Sequence, residues 1–234
     1  MSRKRTAIMI SGRGSNMAAL IEAASDPAFP AEIVGVISDQ PEAPGLVIAS
    51  QRKITARAIP RADFAGKEAH DAAIDGALEA LGAEIVALAG YMRLLTPGFA
   101  AKWQSRLINI HPALLPSLKG LDTHRRALEA GVRLHGCTVH FVTPEVDSGP
   151  IIAQAAVPVL SSDTEEALAA RVLKVEHQLY PLALRLVADG RVRMEDGRAV
   201  FDLGQGSERA SASLIAPDLR PAAPNLEDLA RFTP

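Results

Sequence analysis

Ile108-Asn109-Ile110-His111-Pro112-Ala113-Leu114-Leu115-Pro116 reads as a short buried strand, Leu107 to Ile110, running straight into a loop bracketed by prolines. Side chains alternate between the two faces of a strand, so Asn109 and His111 point the same way. An amide and an imidazole side by side at a strand's C-terminal end suit carbonyl chemistry. The amide NH2 can hold a developing oxyanion, and the imidazole can move a proton near neutral pH. The pair also fits a plainer reading, in which Asn109 ties down the loop and His111 packs in the core. A cis Leu115–Pro116 bond shaping the loop is a further expectation.

Upstream, Glu84-Ile85-Val86-Ala87-Leu88-Ala89 is nearly all apolar, as a parallel strand covered on both faces should be. Gly90 to Leu95 leaves its C-terminal end, the side on which open parallel sheets bind ligands. Thr6 to Ile10 forms a first strand, followed at once by Ser11-Gly12-Arg13-Gly14-Ser15-Asn16 and a helix from Met17 to Ala24. A glycine-rich turn before a helix leaves backbone N–H groups free to hold an anion. Three readings stay open there. A dinucleotide fingerprint wants a third small residue where this chain has Met17; Asp39, after the strand Ile33 to Ser38, would be its ribose-binding acid. A phosphate monoester site needs only Gly14, Ser15 and Asn16. A tight turn with no ligand is the third.

Further along, periodicity predicts helices near Leu46 to Gln51, Asp63 to Leu81 (ended by Gly82), Thr96 to Trp103 and Thr123 to Ala130. A last long helix, capped by Thr164 or Asp163, runs to Ala188. Strands are expected at Ala56 to Ile59, His135 to Val142 and Ile151 to Val159, with a hairpin around Asp196-Gly197. Strands alternating with helices specify an α/β fold with a largely parallel sheet. From Gly204 the composition shifts to Ser, Ala and Pro. Residues 1–203 are therefore read as the catalytic domain and 204–234 as a tail, with a helical turn or two expected over Leu226 to Phe232.

The chain of 234 residues carries 25 Lys plus Arg against 27 Asp plus Glu, a formal net charge of -2. That balance argues against nucleic acid as the main partner, since phosphate backbones select strongly basic surfaces. By mass scaling, folding hides roughly 70% of the unfolded chain's surface, enough for a core without staples. One cysteine, Cys137, excludes an internal disulfide framework and a cysteine zinc cage. Glu84 and Arg93 interrupt the best of the apolar stretches, so none offers the ~18 residues of a membrane span. The apolar run Ala7 to Ile10 is too short for a signal-peptide core. A soluble, cytoplasmic protein is expected.

Of six histidines, none pair at the i, i+4 spacing of a helical metal site, so no metal is expected. His70 and His177 read as surface or helix-packing residues, His124 as exposed, and His135 and His140 as structural. Asp147 sits in the loop Thr143-Pro144-Glu145-Val146-Asp147-Ser148-Gly149-Pro150. Beside His111 it would stabilise an imidazolium. With no Gly-x-Ser-x-Gly elbow, and Cys137 lacking an obvious base, a covalent nucleophile is the weaker expectation.

Together these motifs resemble one family, the folate-dependent phosphoribosylglycinamide formyltransferases. The matching pieces are Ser11 to Asn16, Ala89 to Leu95, Ile108 to Pro116, His135 to Val142, Asp147 to Pro150, and Glu176-His177-Gln178-Leu179-Tyr180-Pro181. They run in the family's order over roughly residues 6 to 195. The resemblance implies a Rossmann-like formyltransferase fold, with a mostly parallel seven-stranded sheet and helices on both faces. It implies transfer of a formyl group from the cosubstrate 10-formyltetrahydrofolate to the amine of glycinamide ribonucleotide. By that similarity Asn109, His111 and Asp147 are catalytic. Gly14, Ser15 and Asn16 hold the substrate phosphate, and Leu173, Lys174, Val175 and Glu176 reach the ribose and its substituents. The folate lies along Met92, Arg93, Leu94 and Leu95, beside Asn109, and against the loop of Thr143, Pro144, Glu145, Val146 and Asp147. Lys67 sits near its glutamate tail. The partners expected are these small molecules, with no nucleic acid and no membrane, for a monomer or homodimer.

The chain departs from the family pattern at Ala113, where serine is usual, at Cys137, where a small hydroxyl residue is common, and at Asp122, where some members carry histidine. Methionyl-tRNA formyltransferases share the Asn-x-His and Asp constellation but carry an RNA-binding C-terminal domain, for which the tail is short. Formyltetrahydrofolate deformylases use the same folate and usually carry an N-terminal regulatory domain, for which a first strand at Thr6 leaves no room. A dinucleotide-dependent oxidoreductase, or a non-catalytic nucleotide-binding module, would use only the first turn.

Overall fold

The chain's strands β1 (Lys4–Ile10), β2 (Ala31–Ser38), β3 (Ala56–Ala58), β4 (Ile85–Leu88), β5 (Leu107–His111), β6 (Leu134–Phe141) and β7 (Ile151–Pro158) build one seven-stranded sheet. Its order is β3-β2-β1-β4-β5-β6-β7. Neighbours from β3 to β5 pair in parallel, and the β5–β6 and β6–β7 pairs are antiparallel. This computed structural model describes residues 2–202, 204 and 216; the rest of the tail, including the turns expected over Leu226 to Phe232, lies outside the described residues.

Alternation along the strands sorts side chains into two cores. Ile8, Ile10, Ala87, Ile108 and Ile110 face one way, against Met17, Leu20, Leu168, Val172 and Tyr180. These come from α1 (Ser15–Ala24) and α6 (Glu165–Ala188). Ala7, Met9, Val86, Leu88 and Leu107 face the other way, against Ile74, Leu78, Phe99 and Trp103. Those come from α3 (Lys67–Ala80) and the residues of, and just after, α4 (Pro97–Lys102). Each fully buried Ile, Leu, Val, Met or Phe is worth about 1.5–3 kcal/mol of transfer free energy, so both cores hold the sheet between the helices.

The chain leaves β1 toward β2 and β3 through α1 and α2 (Pro44–Gln51), then returns through α3 to β4 on β1's other side. The order thus reverses between β1 and β4, and open sheets bind ligands outside the C-terminal strand ends at such a point. α6 is capped by Thr164, whose Oγ1 accepts from Ala167 N at 3.2 Å. Asp163, the other candidate cap, is instead held by Arg171 and Leu160 N. Inside the sheet, the buried Tyr180 hydroxyl donates to Leu88 O at 2.9 Å and lies 3.3 Å from Ile108 O, fixing α6 against β4 and β5.

Several boundaries differ from expectation by a residue or more. α3 begins at Lys67 because Arg61–Asp63 forms a separate 3-10 turn and Phe64 and Gly66 are extended. β1 and β2 each start two residues earlier than their apolar runs, because edge-of-strand residues pair through backbone whatever their side chains. The hairpin of β8 (Val192–Glu195) and β9 (Arg198–Phe201) turns at Asp196 and Gly197, both with positive φ, as a type I′ turn requires. Among the described residues no helix is long and apolar enough to cross a membrane.

Candidate active site

β5 carries Asn109 and His111 onto the α3 side of the sheet, two positions apart. The antiparallel register sets His140 of β6 directly across from Asn109, and Thr138 across from His111. Opposite residues on one face are within side-chain reach. Asn109 Nδ2 is 3.2 Å from His140 Nε2. The other ring nitrogen of His140, Nδ1, is 2.8 Å from Phe141 O, which can only accept. Nδ1 therefore carries the hydrogen and Nε2 accepts from the Asn109 amide. Burial pulls the His140 pKa down, keeping the ring neutral in that role. One Asn109 hydrogen is committed, and the second remains for a ligand oxygen.

His111 is buried, with Nε2 3.0 Å from Leu118 O. Nε2 must donate to that carbonyl, so Nδ1 is the nitrogen facing Asp147 Oδ2, at 3.4 Å. Asp147 has φ 48, a left-handed conformation that Asp tolerates better than most residues. Its Oδ2 also accepts from Gly120 N at 2.9 Å, and its Oδ1 lies 3.8 Å from His140 Nε2. Two residues on, a Cβ at Gly149 would stand 1.7 Å from Phe141 O, so only glycine lets this loop return beside β6.

The loop after β5 folds back over the polar residues of β6 and β7. Thr138 Oγ1 donates to Ala113 O at 2.7 Å and accepts from Leu115 N and Gln154 Nε2, both at 3.0 Å. A hydroxyl has one donor and two acceptor sites, so Thr138 is saturated. Leu115–Pro116 is cis.

At the end of β1, Gly14 caps α1 with φ 73, and a Cβ there would lie 3.0 Å from both Gly45 Cα and Met17 Cε. No side chain caps this helix, so its first N–H groups point outward at the site where an anion is favoured. Asn16 Nδ2 donates to Glu176 Oε2 at 2.7 Å, while Asn16 Oδ1 is buried with no hydrogen-bond partner among the described residues. Burial raises the Glu176 pKa against the opposing effect of that amide. Of its neighbours on α6, Lys174 is exposed and Leu173 and Val175 are half-buried. Cys137 is fully buried, and burial followed by Glu176 pushes its thiol up to about 12, which leaves it chemically inert.

Between these two regions lies the segment after β4. Ser11 Oγ donates to Asp39 at 2.5 Å and accepts from Met92 N at 2.8 Å. Arg93 Nε and Gln40 Nε2 complete the hold on the buried Asp39 carboxylate, at 2.9 and 3.0 Å. Despite its burial, these hydrogen bonds lower the Asp39 pKa. With its partners all internal, Asp39 is not available as a ribose-binding acid, which removes the dinucleotide reading of the first turn. Met92 and Leu94 are left 64% and 66% exposed, and Val146 49%. Lys67 Nζ donates to Leu95 O at 3.0 Å.

His70, His124 and His135 make structural contacts. His70 is buried on Ile59 O at 2.8 Å. His124 is half-buried, contrary to expectation, because its Nδ1 meets His135 Nε2 at 3.2 Å. Burial and then His124 bring His135 down to about 4. Among the described residues no group of three or more side chains could hold a metal ion.

The structure brings Asn109, His111 and Asp147 to one corner, as the sequence suggested, and adds to them His140, read there as structural, together with Thr138, Gln154 and Gly120. The alternation of Thr138 and His140 against Cys137, Val139 and Phe141 was the available signal. It lacked only the register with β5.

Residues 4–184 match the model of the formyl transferase family. The phosphoribosylglycinamide formyltransferase of Haemophilus influenzae is 42% identical over 199 residues, 85% of this chain and 94% of that protein. The chain belongs to the phosphoribosylglycinamide formyltransferase family. The bovine trifunctional purine biosynthetic protein adenosine-3 is 48% identical over 197 residues, so the chain spans only 20% of that relative. Among solved structures, the phosphoribosylglycinamide formyltransferase of Brucella melitensis is 59% identical, with a TM-score of 0.77 over 80% of this chain and 96% of that one. A formyltetrahydrofolate deformylase of Pseudomonas syringae pv. tomato is 29% identical, with a TM-score of 0.79 over 86% of this chain and 66% of that one. Transferases and deformylases thus share this scaffold, and the chain's higher identity lies with the transferases.

Proposed function

We propose that this chain transfers the formyl group of 10-formyltetrahydrofolate to the amine of glycinamide ribonucleotide in de novo purine biosynthesis. Family membership supports the reaction, and the meeting of Asn109, His111 and Asp147 at one corner supports the mechanism. β1 and β5 run parallel with β4 between them, so the Gly14 turn and Asn109 end on the same sheet edge about 10 Å apart, two strand spacings. A phosphoribosyl compound anchored at one end brings its amine to the other.

The phosphate lies on the amides of Gly14, Ser15 and Asn16, and Glu176 accepts from the ribose hydroxyls, with Leu173, Lys174 and Val175 around the substituents. The folate packs along Met92 to Leu95 and against Thr143 to Asp147. The exposed Met92, Leu94 and Val146 supply apolar surface for its rings, and Lys67 pairs with its glutamate. The amine nitrogen attacks the formyl carbon, forming a C–N bond and an alkoxide. Asn109 donates its second amide hydrogen to that oxygen, and His111 beside it stabilises the charge electrostatically. The amine proton passes, by way of His111 and Asp147, to the folate nitrogen as its bond to carbon breaks. No covalent enzyme intermediate forms. The catalytic domain spans residues 1–203, and the enzyme works in the cytoplasm as a monomer or homodimer.

The test is folate turnover followed by absorbance, with and without glycinamide ribonucleotide. Turnover that requires the amine and yields formylglycinamide ribonucleotide is expected. Turnover indifferent to the amine would make the chain a deformylase.

A further inference from the structure

α5 (Thr123–Glu129) begins directly after the loop that covers His111 and Asp147. That loop is an awkward one. Leu118 and Asp122 have positive φ without being glycine, and Gly120 has φ 82. A non-glycine residue in the left-handed region is strained by its Cβ crowding the backbone carbonyl, so local preference does not hold this shape. Yet three contacts depend on it. Leu118 O accepts from His111 Nε2 at 3.0 Å, Gly120 N donates to Asp147 Oδ2 at 2.9 Å, and Lys119 Nζ donates to Ser148 Oγ at 2.7 Å.

Arg126 reaches back from α5 and donates from Nη1 to Lys119 O at 2.6 Å and Leu121 O at 3.1 Å. The first of these carbonyls belongs to the peptide whose N–H is that of Gly120. A trans peptide is a rigid plane with its C=O and N–H pointing in opposite directions. A guanidinium on the oxygen therefore aims the Gly120 N–H at Asp147 and polarises it, with a cation at one end of the peptide and a carboxylate at the other. The adjacent Arg125 does nothing comparable, since its partners are the exposed Asp122 and Glu129.

We infer that Arg126 is a positioning residue for formyl transfer, acting through the Lys119–Gly120 peptide to fix the Asp147 carboxylate beside His111. The inference rests on the role proposed above for Asp147. It is tested by a double-mutant cycle of Arg126→Ala and Asp147→Asn on the full chain, with Arg125→Ala as control, reading kcat and both KM values. Arg126→Ala should lower kcat about tenfold and leave both KM values within about twofold, as for an interaction felt in the transition state. In the Asp147→Asn background its effect should shrink to less than about twofold, because the group it positions is already compromised. Arg125→Ala should match the wild type.

Equal losses in both backgrounds would mean that Arg126 merely stabilises α5, and no loss in either would also overturn the inference. If Asp147→Asn itself costs nothing, it is the proposed role of Asp147 that fails. Should Arg126→Ala not fold, Arg126→Lys keeps a cationic donor to the same carbonyl and is expected to retain most of kcat. A folded Arg126→Lys that loses kcat equally in both backgrounds would again contradict the inference.

Discussion

The two ends of the site are made in opposite ways. At the proposed phosphate end, a strand, a glycine turn and a helix follow one another within residues 4–24, and the groups offered to an anion are backbone amides. At the formyl end, side chains from β5, β6 and the Asp147 loop, with backbone groups of the loop after β5, meet only because β6 turns back antiparallel beside β5. The first is a local construction that requires particular conformations. The second is a tertiary construction that requires particular partners. Damage to the first should weaken ribonucleotide binding, and damage to the second should slow the chemistry.

Asn109→Ala separates the two most sharply. Loss of an oxyanion donor should lower kcat by ~10²–10³ with the fold intact, as judged by unfolding temperature. A near wild-type rate would remove Asn109 from the chemistry. His140→Ala should cost about tenfold in kcat, because it leaves the Asn109 amide without its 3.2 Å partner. The same loss appearing in the ribonucleotide KM would show that the two ends are not independent. Gly14→Ala sets a side chain at φ 73 and 3.0 Å from Gly45 Cα. A strain of about 1–2 kcal/mol would raise the ribonucleotide KM some tenfold, while kcat holds within a factor of about two.

A further effect, read in stability and not in rate, concerns the formyl end as pH falls. His135 is neutral in the folded chain, with its pKa down at about 4, and His140 is likewise lowered by burial. In the unfolded chain both titrate near 6.5, so below that pH the unfolded state binds more protons. The contribution of His135 is complete above about pH 6.5 and is lost as the pH falls toward 4, at no more than about 1.4 kcal/mol per pH unit, and that of His140 declines in the same direction. Denaturant unfolding across this range should show the decline, and His135→Asn should flatten it. A stability that rises on acidification would contradict the assignment of neutral histidines.

The contrast between the ends also decides what could be read in advance. The first turn, the parallel strands and the Asn109–His111 pair are legible because strand alternation and glycine chemistry act between near neighbours. Asp39 misleads for the same reason. It stands where a ribose-binding acid would, but Ser11 and Arg93 from elsewhere in the fold, with its neighbour Gln40, consume it. His140 hid its role because a residue on a strand gives no sign of its register with the next one. The contacts of Gly120 with Asp147 and of Leu118 with His111 involve backbone groups, which leave no mark in a side-chain pattern.

The central claim is that Asn109 faces the formyl oxygen. Isotope-edited infrared spectra of 13C-formyl-labelled 10-formyltetrahydrofolate, free and bound to the wild type and to Asn109→Ala, test it without waiting for turnover. A hydrogen-bond donor on the oxygen should lower the carbonyl stretch on binding to the wild type, and most of that shift should vanish in Asn109→Ala. The same shift in both proteins would contradict the account.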